Sequence, residues 1–218
     1  MGQNVDLLLS YSGSKAAYAP YSEVRDLQTQ ALNERFQEQG PRIKLVTLRA
    51  KDAGITQIAK LEDVVPLLLP HTAYKSYPES FLTEKKWDRL TKWLGTVSGY
   101  PTDNIDVSEV REIDDWISAC GDAGHFVSCS SGTTGKSAML VASQQDLDFA
   151  SRDGVAAVEW GSDIRTGDMR TPAGAAGAVA YTPRNAAMGM TMMDAFVNPA
   201  AKRFETGLPP LTIGSLTK

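Results

Sequence analysis

Cysteine and histidine are both scarce in this chain of 218 residues, with two of each. Cys120 and Cys129 lack C-x-x-C spacing, so neither a zinc site nor a redox pair is indicated. A disulfide between them would need the chain to fold back, and a reducing, cytoplasmic setting is the expectation. His71 and His125 are too few for a histidine-based metal centre. Also missing is any basic tract: 22 Lys and Arg are mixed with 26 Asp and Glu, giving a net charge of −4. That balance argues against nucleic acid or an anionic membrane surface as partner. The longest apolar run, Val64-Val-Pro-Leu-Leu-Leu-Pro70, is interrupted by proline and far too short to span a bilayer. Met1-Gly-Gln-Asn-Val-Asp has no basic n-region followed by an apolar stretch, so no signal peptide is expected. Asp6 stands where an N-myristoylation pattern wants Ser or Thr.

What is present is the composition of an ordinary globular protein, 42% hydrophobic and 22% charged, on a chain long enough for one or two domains. Residues 1–21 show no clear period and read as a loosely ordered lead-in. From Ser22, as N-cap, Val24, Leu27, Ala31 and Leu32 recur at helical spacing until Gly40-Pro41. A second helix is expected from Arg42 to Ala53, with Ile43, Val46 and Ala50 on one face and Gly54 as C-cap. Prolines 66, 70 and 78 then force an extended path. Thr83 is read as the cap of a helix ending at Gly95, with Trp87, Leu90 and Leu94 on its stripe. Another helix is expected from Ser108 to Gly121, burying Val110, Ile113, Ile117 and Cys120. The acids Glu109, Glu112, Asp114 and Asp115 scatter around it and read as a solvated face. The domain reading is a mainly helical region over 1–121, followed over 122–218 by the start of an α/β domain.

That second region opens on the most distinctive stretch of the chain, Phe126-Val-Ser-Cys-Ser-Ser-Gly-Thr-Thr-Gly-Lys136, with Ser137 next. Glycines let backbone N–H groups approach an anion. Hydroxyls at Ser130, Ser131, Thr133 and Thr134 add donors, and Lys136 adds positive charge. A phosphate-bearing ligand is the natural occupant; a Gly/Ser surface hairpin with one solvated lysine is the plain alternative. A Walker A loop, G-x-x-x-x-G-K-[ST], would find its end in Gly135, Lys136 and Ser137, but Ser130 stands where its first glycine belongs. A Walker loop also opens directly into a helix. Here Met139-Leu-Val-Ala142 has strand character, and a helix begins only at Ser143, with Asp146 as its capping-box partner.

Ser130-Ser-Gly-Thr-Thr-Gly-Lys136 resembles, position by position, the phosphate loop of adenylate-forming enzymes, most closely phenylacetate–CoA ligases and acyl-protein synthetases. Ser137 and Ala138 depart from the proline and the basic residue found after the lysine in many members. A second point of similarity lies upstream, in family order: Leu69-Pro70, Thr72, Lys75 and Tyr77-Pro78. Lys75 and Tyr77 receive no site role from it. The resemblance covers residues 55–150. It implies a mixed α/β nucleotide-binding domain of the adenylate-forming type, incomplete here, so that the chain reads as an N-terminal portion of a longer enzyme and is not expected to be active alone.

The implied activity is activation of a carboxylic acid by ATP with Mg2+ to an acyl-adenylate, followed by transfer to a thiol acceptor such as CoA or a protein. Thr133, Thr134 and Lys136 would then hold phosphates while Ser130, Ser131, Gly132 and Gly135 shape the loop. Thr166-Gly167-Asp168 imitates the family's ribose-binding motif, but its position suits only a turn. Two readings stay open beside this one, a non-catalytic nucleotide- or partner-binding module and a P-loop-type NTPase. Further on, Ala173–Tyr181 reads as a buried strand, Met188–Met193 as a methionine-rich helix surface, and Thr206–Lys218 as a strand entering another unit.

Overall fold

The apolar spacing that begins near Val24 folds as expected into a long helix, but its local start differs from the sequence reading. The computed structural model describes residues 2–10, 19–130 and 136–168. Its elements are α1 (Gln3–Ser10), α2 (Tyr21–Gln39), α3 (Lys44–Ala53), α4 (Ser80–Thr83), α5 (Trp87–Val97), α6 (Ile113–Asp122), β1 (His125–Cys129), β2 (Met139–Ser143) and α7 (Gln144–Gly161). Short 3-10 turns occupy Gly40–Arg42, Leu61–Leu67 and Ala73–Lys75. The fold is therefore mixed α/β, mostly helical, with a two-stranded antiparallel sheet among the described residues. The segments read as a strand at 173–181, a helix at 188–193 and a strand at 206–218 lie outside the described residues.

The chain divides into two units, Met1–Tyr74 with Lys92–Thr102, and Lys75–Thr91 with Asp103–Lys218. In the first, α1 occupies part of what sequence alone reads as an irregular lead-in. Its orphan N–H groups are satisfied from a distance: Asn4 N and Val5 N donate to the Glu34 carboxylate of α2, at 3.0 and 3.2 Å to Oε2. No local pattern announces such a cap, because the acceptor comes from another helix. Leu27 and Ala31 are buried along α2, which starts at Tyr21 behind Pro20, so Ser22 lies inside the helix and does not cap it. Gly54 ends α3 at φ 67°, as its position promised. Phe36, Ile55 and Val64 pack on a small core of Ala50, Ile58 and Leu67. Asn33 Oδ1 accepts from Ile58 N at 2.9 Å, and Arg49 Nε donates to Pro66 O at 2.7 Å, pinning the proline-rich path to α2 and α3.

Three helix boundaries are corrected by tertiary detail. The helix expected from Thr83 begins at Trp87, because α4 is a single turn that ends at Thr83 and is followed by Lys85 in the left-handed region (φ 55°). That same helix runs through Gly95 to Val97. Gly95 serves close approach there, since a Cβ would lie 2.9 Å from Thr102 Oγ1. The helix expected from Ser108 begins at Ile113. Asp106 accepts from Ser108 N at 2.9 Å and holds a turn that competes with helix. Asp115 accepts from Arg111 N and Glu112 N at 3.0 and 3.1 Å, setting the true start.

The second unit buries Trp116, Ile117 and Cys120 of α6 with Tyr77, Leu90, Val127 and Met139. Trp116 Nε1 donates to Thr91 Oγ1 at 2.9 Å, so the indole enters the interior with its polar edge satisfied. Alternate residues of β1, namely His125, Val127 and Cys129, face inward. The strands pair in register from His125 with Ser143 to Cys129 with Met139. Ser143 caps α7, its Oγ accepting from Asp146 N at 3.2 Å while its own N donates to Asp146 Oδ2 at 2.8 Å.

Two glycine substitutions with opposite signs test these boundaries. Gly121, read from sequence as a helix stop, lies inside α6 with nothing within 4 Å of an added Cβ. Gly121→Ala is expected to raise the free energy of unfolding by about 0.5–1 kcal/mol. Gly54→Ala, forced into the left-handed region, is expected to lower it by about 1 kcal/mol. Urea denaturation of both variants gives the comparison.

Candidate phosphate-binding site

Apolar strand residues on either side of a glycine- and threonine-rich connection produce a hairpin whose base is closed by Ser130. Ser130 N donates to Ala138 O at 2.9 Å, continuing the ladder past Cys129. Ala138 N in turn donates to Ser130 Oγ at 2.8 Å. The first residue of the candidate loop is thus tied to the chain that leaves it. Ser131, Gly132, Thr133, Thr134 and Gly135 lie outside the described residues. The two ends, Ser130 and Lys136, are the members of the sequence-derived set whose geometry is on view.

Lys136 is held by Tyr77. Its ammonium donates to the Tyr77 backbone carbonyl and sits over the Tyr77 ring, 4.5 Å from the centroid. From the other end of the same residue, Tyr77 Oη donates to Ser137 O at 2.7 Å. Backbone, ring and hydroxyl of one tyrosine therefore meet two consecutive residues at the exit of the loop. Tyr77 is 0% exposed. Burial pushes its hydroxyl well above the ordinary phenol range, with the nearby Cys129 and Glu79 adding to the effect. The hydroxyl keeps its proton, as its hydrogen bond to a carbonyl oxygen requires. Sequence reasoning reached Tyr77 through the Tyr77-Pro78 pair and gave it no role. The pointer was the order of motifs along the chain, since nothing local says that residue 77 meets residue 136.

The ammonium of lysine carries three donors. One is used on the Tyr77 carbonyl, the other two have no partner among the described residues, and Lys136 is half-buried. A cation resting on a ring face and a carbonyl is stabilised without being neutralised. His125, which sequence puts beside the loop, is 3% exposed and begins β1. Its Nε2 lies 3.4 Å from Asn104 Oδ1, and Asn104 Nδ2 donates to Ala123 O at 3.2 Å. These contacts tie the turn between α6 and β1, which is a structural role.

The acids read as a solvated face include Asp115, which is committed to capping α6. Among the described residues no group of three His, Cys, Asp or Glu side chains is arranged to hold a metal ion. Mg2+ bound chiefly through nucleotide phosphates needs no such cage. Thr166-Gly167-Asp168 forms a turn, with Gly167 at φ 88° and Asp168 Oδ2 accepting from Arg165 N at 2.7 Å. Arg165, Thr166 and Asp168 are exposed.

Cys120 and Cys129 are both buried and are not joined to each other. Burial, with a further contribution from Cys129, pushes the Cys120 thiol up to about 12. No protein-family model, curated protein or solved structure matches this chain.

The Cys120 environment gives a pH dependence with a definite sign. The unfolded thiol loses its proton near pH 8.5, whereas the folded one keeps it to about pH 12. Above pH 8.5 the unfolded state therefore binds fewer protons, and stability falls as pH rises through that window. Denaturant titrations between pH 8 and pH 11 are expected to show this decline. Its slope should be shallower in Cys120→Ala, even though that variant starts lower at neutral pH through lost packing.

Proposed function

We propose that this chain supplies the phosphate loop of an enzyme that activates a carboxylic acid with Mg·ATP. In this reading the carboxylate oxygen attacks the α-phosphorus and the bond to pyrophosphate breaks; a thiol, of CoA or a protein cysteine, then attacks the acyl carbon, AMP leaves and the thiol proton is lost to solvent. The observation that carries the proposal is the setting of the loop. Residues 130–136 join two antiparallel strands, β1 and β2, and a helix follows only after β2. That is the context expected for the adenylate-forming type of loop, to which Ser130-Ser-Gly-Thr-Thr-Gly-Lys136 is similar in sequence. A P-loop requires a helix to start at the lysine, which makes the NTPase reading the poorer fit.

Ser130 and Lys136 enter this chemistry differently. Ser130 fixes the base of the loop through its two bonds with Ala138. Lys136 brings positive charge to the place where negative charge accumulates as pyrophosphate leaves, the role for which a pre-oriented cation is most effective. Thr133 and Thr134 are assigned to the phosphates by the resemblance alone. ATP and Mg2+ enter together, the metal being carried on the phosphates.

The test is carboxylate-dependent exchange of labelled pyrophosphate into ATP, measured on the full-length gene product. Exchange is expected with the wild type, and Lys136→Ala is expected to reduce it by about 100-fold or more with the fold intact. Exchange that is unchanged in Lys136→Ala would remove the site assignment. Tight binding of Mg·ATP without exchange under any carboxylate would favour a nucleotide-binding module without catalysis.

A further inference from the structure

The geometry points to Tyr77 as a positioning residue for Lys136: its carbonyl and ring hold the ammonium in place so that the remaining donors meet a phosphate. This rests on reading residues 130–136 as a phosphate loop, and assigns a residue 59 positions away to the same site.

A lysine head on a free four-carbon stem gives up rotamer freedom when it meets an anion. Here that freedom is reduced beforehand. The Tyr77 carbonyl takes one donor, and the ring lies against one side of the cation at 4.5 Å. The two donors without a partner among the described residues are the ones left to meet an anion. The support is itself fixed. Tyr77 is fully buried, and its hydroxyl donates to Ser137 O, so movement of the ring relative to the strand leaving the loop is opposed at both ends of the residue. Pro78 restricts Tyr77 to extended backbone, which suits a residue whose carbonyl and side chain both engage the neighbouring segment. Tyr77 is no candidate acid or base at neutral pH, because its hydroxyl is held protonated by burial and bonded to a carbonyl oxygen. It acts through Lys136.

A buried tyrosine also contributes to packing, so the test must separate that from positioning. Tyr77→Phe keeps the ring and the backbone carbonyl and removes the bond to Ser137. Tyr77→Leu removes the ring as well. Mg·ATP affinity of the full-length gene product is measured by calorimetry for each, in the wild-type background and with Lys136→Met, after thermal unfolding confirms a folded state. Affinity is expected to fall about threefold in Tyr77→Phe and about tenfold in Tyr77→Leu, and by less than about 1.5-fold for either when Lys136 is already Met. Should Tyr77→Leu fail to fold, the Tyr77→Phe pair makes the same comparison.

Equal losses in both backgrounds would mean that Tyr77 contributes packing only, and the positioning role falls while the phosphate site stands. Wild-type affinity in Lys136→Met, or a wild type that does not bind Mg·ATP, removes the phosphate site and the role of Tyr77 together.

Discussion

The bond between the Lys136 ammonium and the Tyr77 carbonyl, laid over the Tyr77 ring, is the contact on which the organisation of the second unit turns. It joins the Tyr77-Pro78 segment to the exit of the glycine and threonine loop, and the Tyr77 hydroxyl repeats the link at Ser137. A buried phenol that donates to a carbonyl, and a cation that meets both a carbonyl and a π face, leave few polar groups unsatisfied at a crowded position. The strands then have a fixed base, closed by Ser130 against Ala138. In the proposed reading an anion-binding loop gains from such a base, because an electrostatic site is effective only where its donors are oriented in advance.

Carboxylates serve the backbone throughout this fold. Glu34 receives the N–H groups at the start of α1, and Asp63 accepts from Ala59 N and Lys60 N ahead of the 3-10 turn Leu61–Leu67. Asp115 caps α6, Asp146 caps α7, and Asp168 closes the turn that begins at Arg165. Those at helix starts place negative charge on orphan N–H groups, where the helix dipole also favours it. A chain with more acidic than basic residues needs neither a metal nor a cationic partner to account for these acids. This use of Asp also explains the late start of α6. Asp106 holds its own turn with Ser108, and helix can begin only where Asp115 reaches back.

Much of the architecture was legible in the order of residues. Leu27 and Ala31 mark the buried side of α2, Gly54 marks a left-handed stop, and Ser143 with Asp146 marks a helix start. Each is a local rule acting over a few residues, so the sequence carries it without help from the rest of the chain. The loop from Ser130 to Lys136 is also a local pattern, and the anion proposed for it rests on its composition. Its strand-to-strand setting followed from Met139–Ala142 and the delayed cap at Ser143.

Contacts between distant residues were decided elsewhere. Glu34 caps α1 from another helix, and Thr102 turns Gly95 from an apparent stop into a point of close approach within α5. Tyr77 becomes part of the candidate site because two segments almost sixty residues apart meet. Periodicity and capping patterns report interactions among neighbours in sequence, where the backbone itself fixes the geometry. Which carboxylate finds a distant N–H, or which ring lies beneath a lysine, depends on how the elements pack, and only the folded chain brings those atoms within bonding distance.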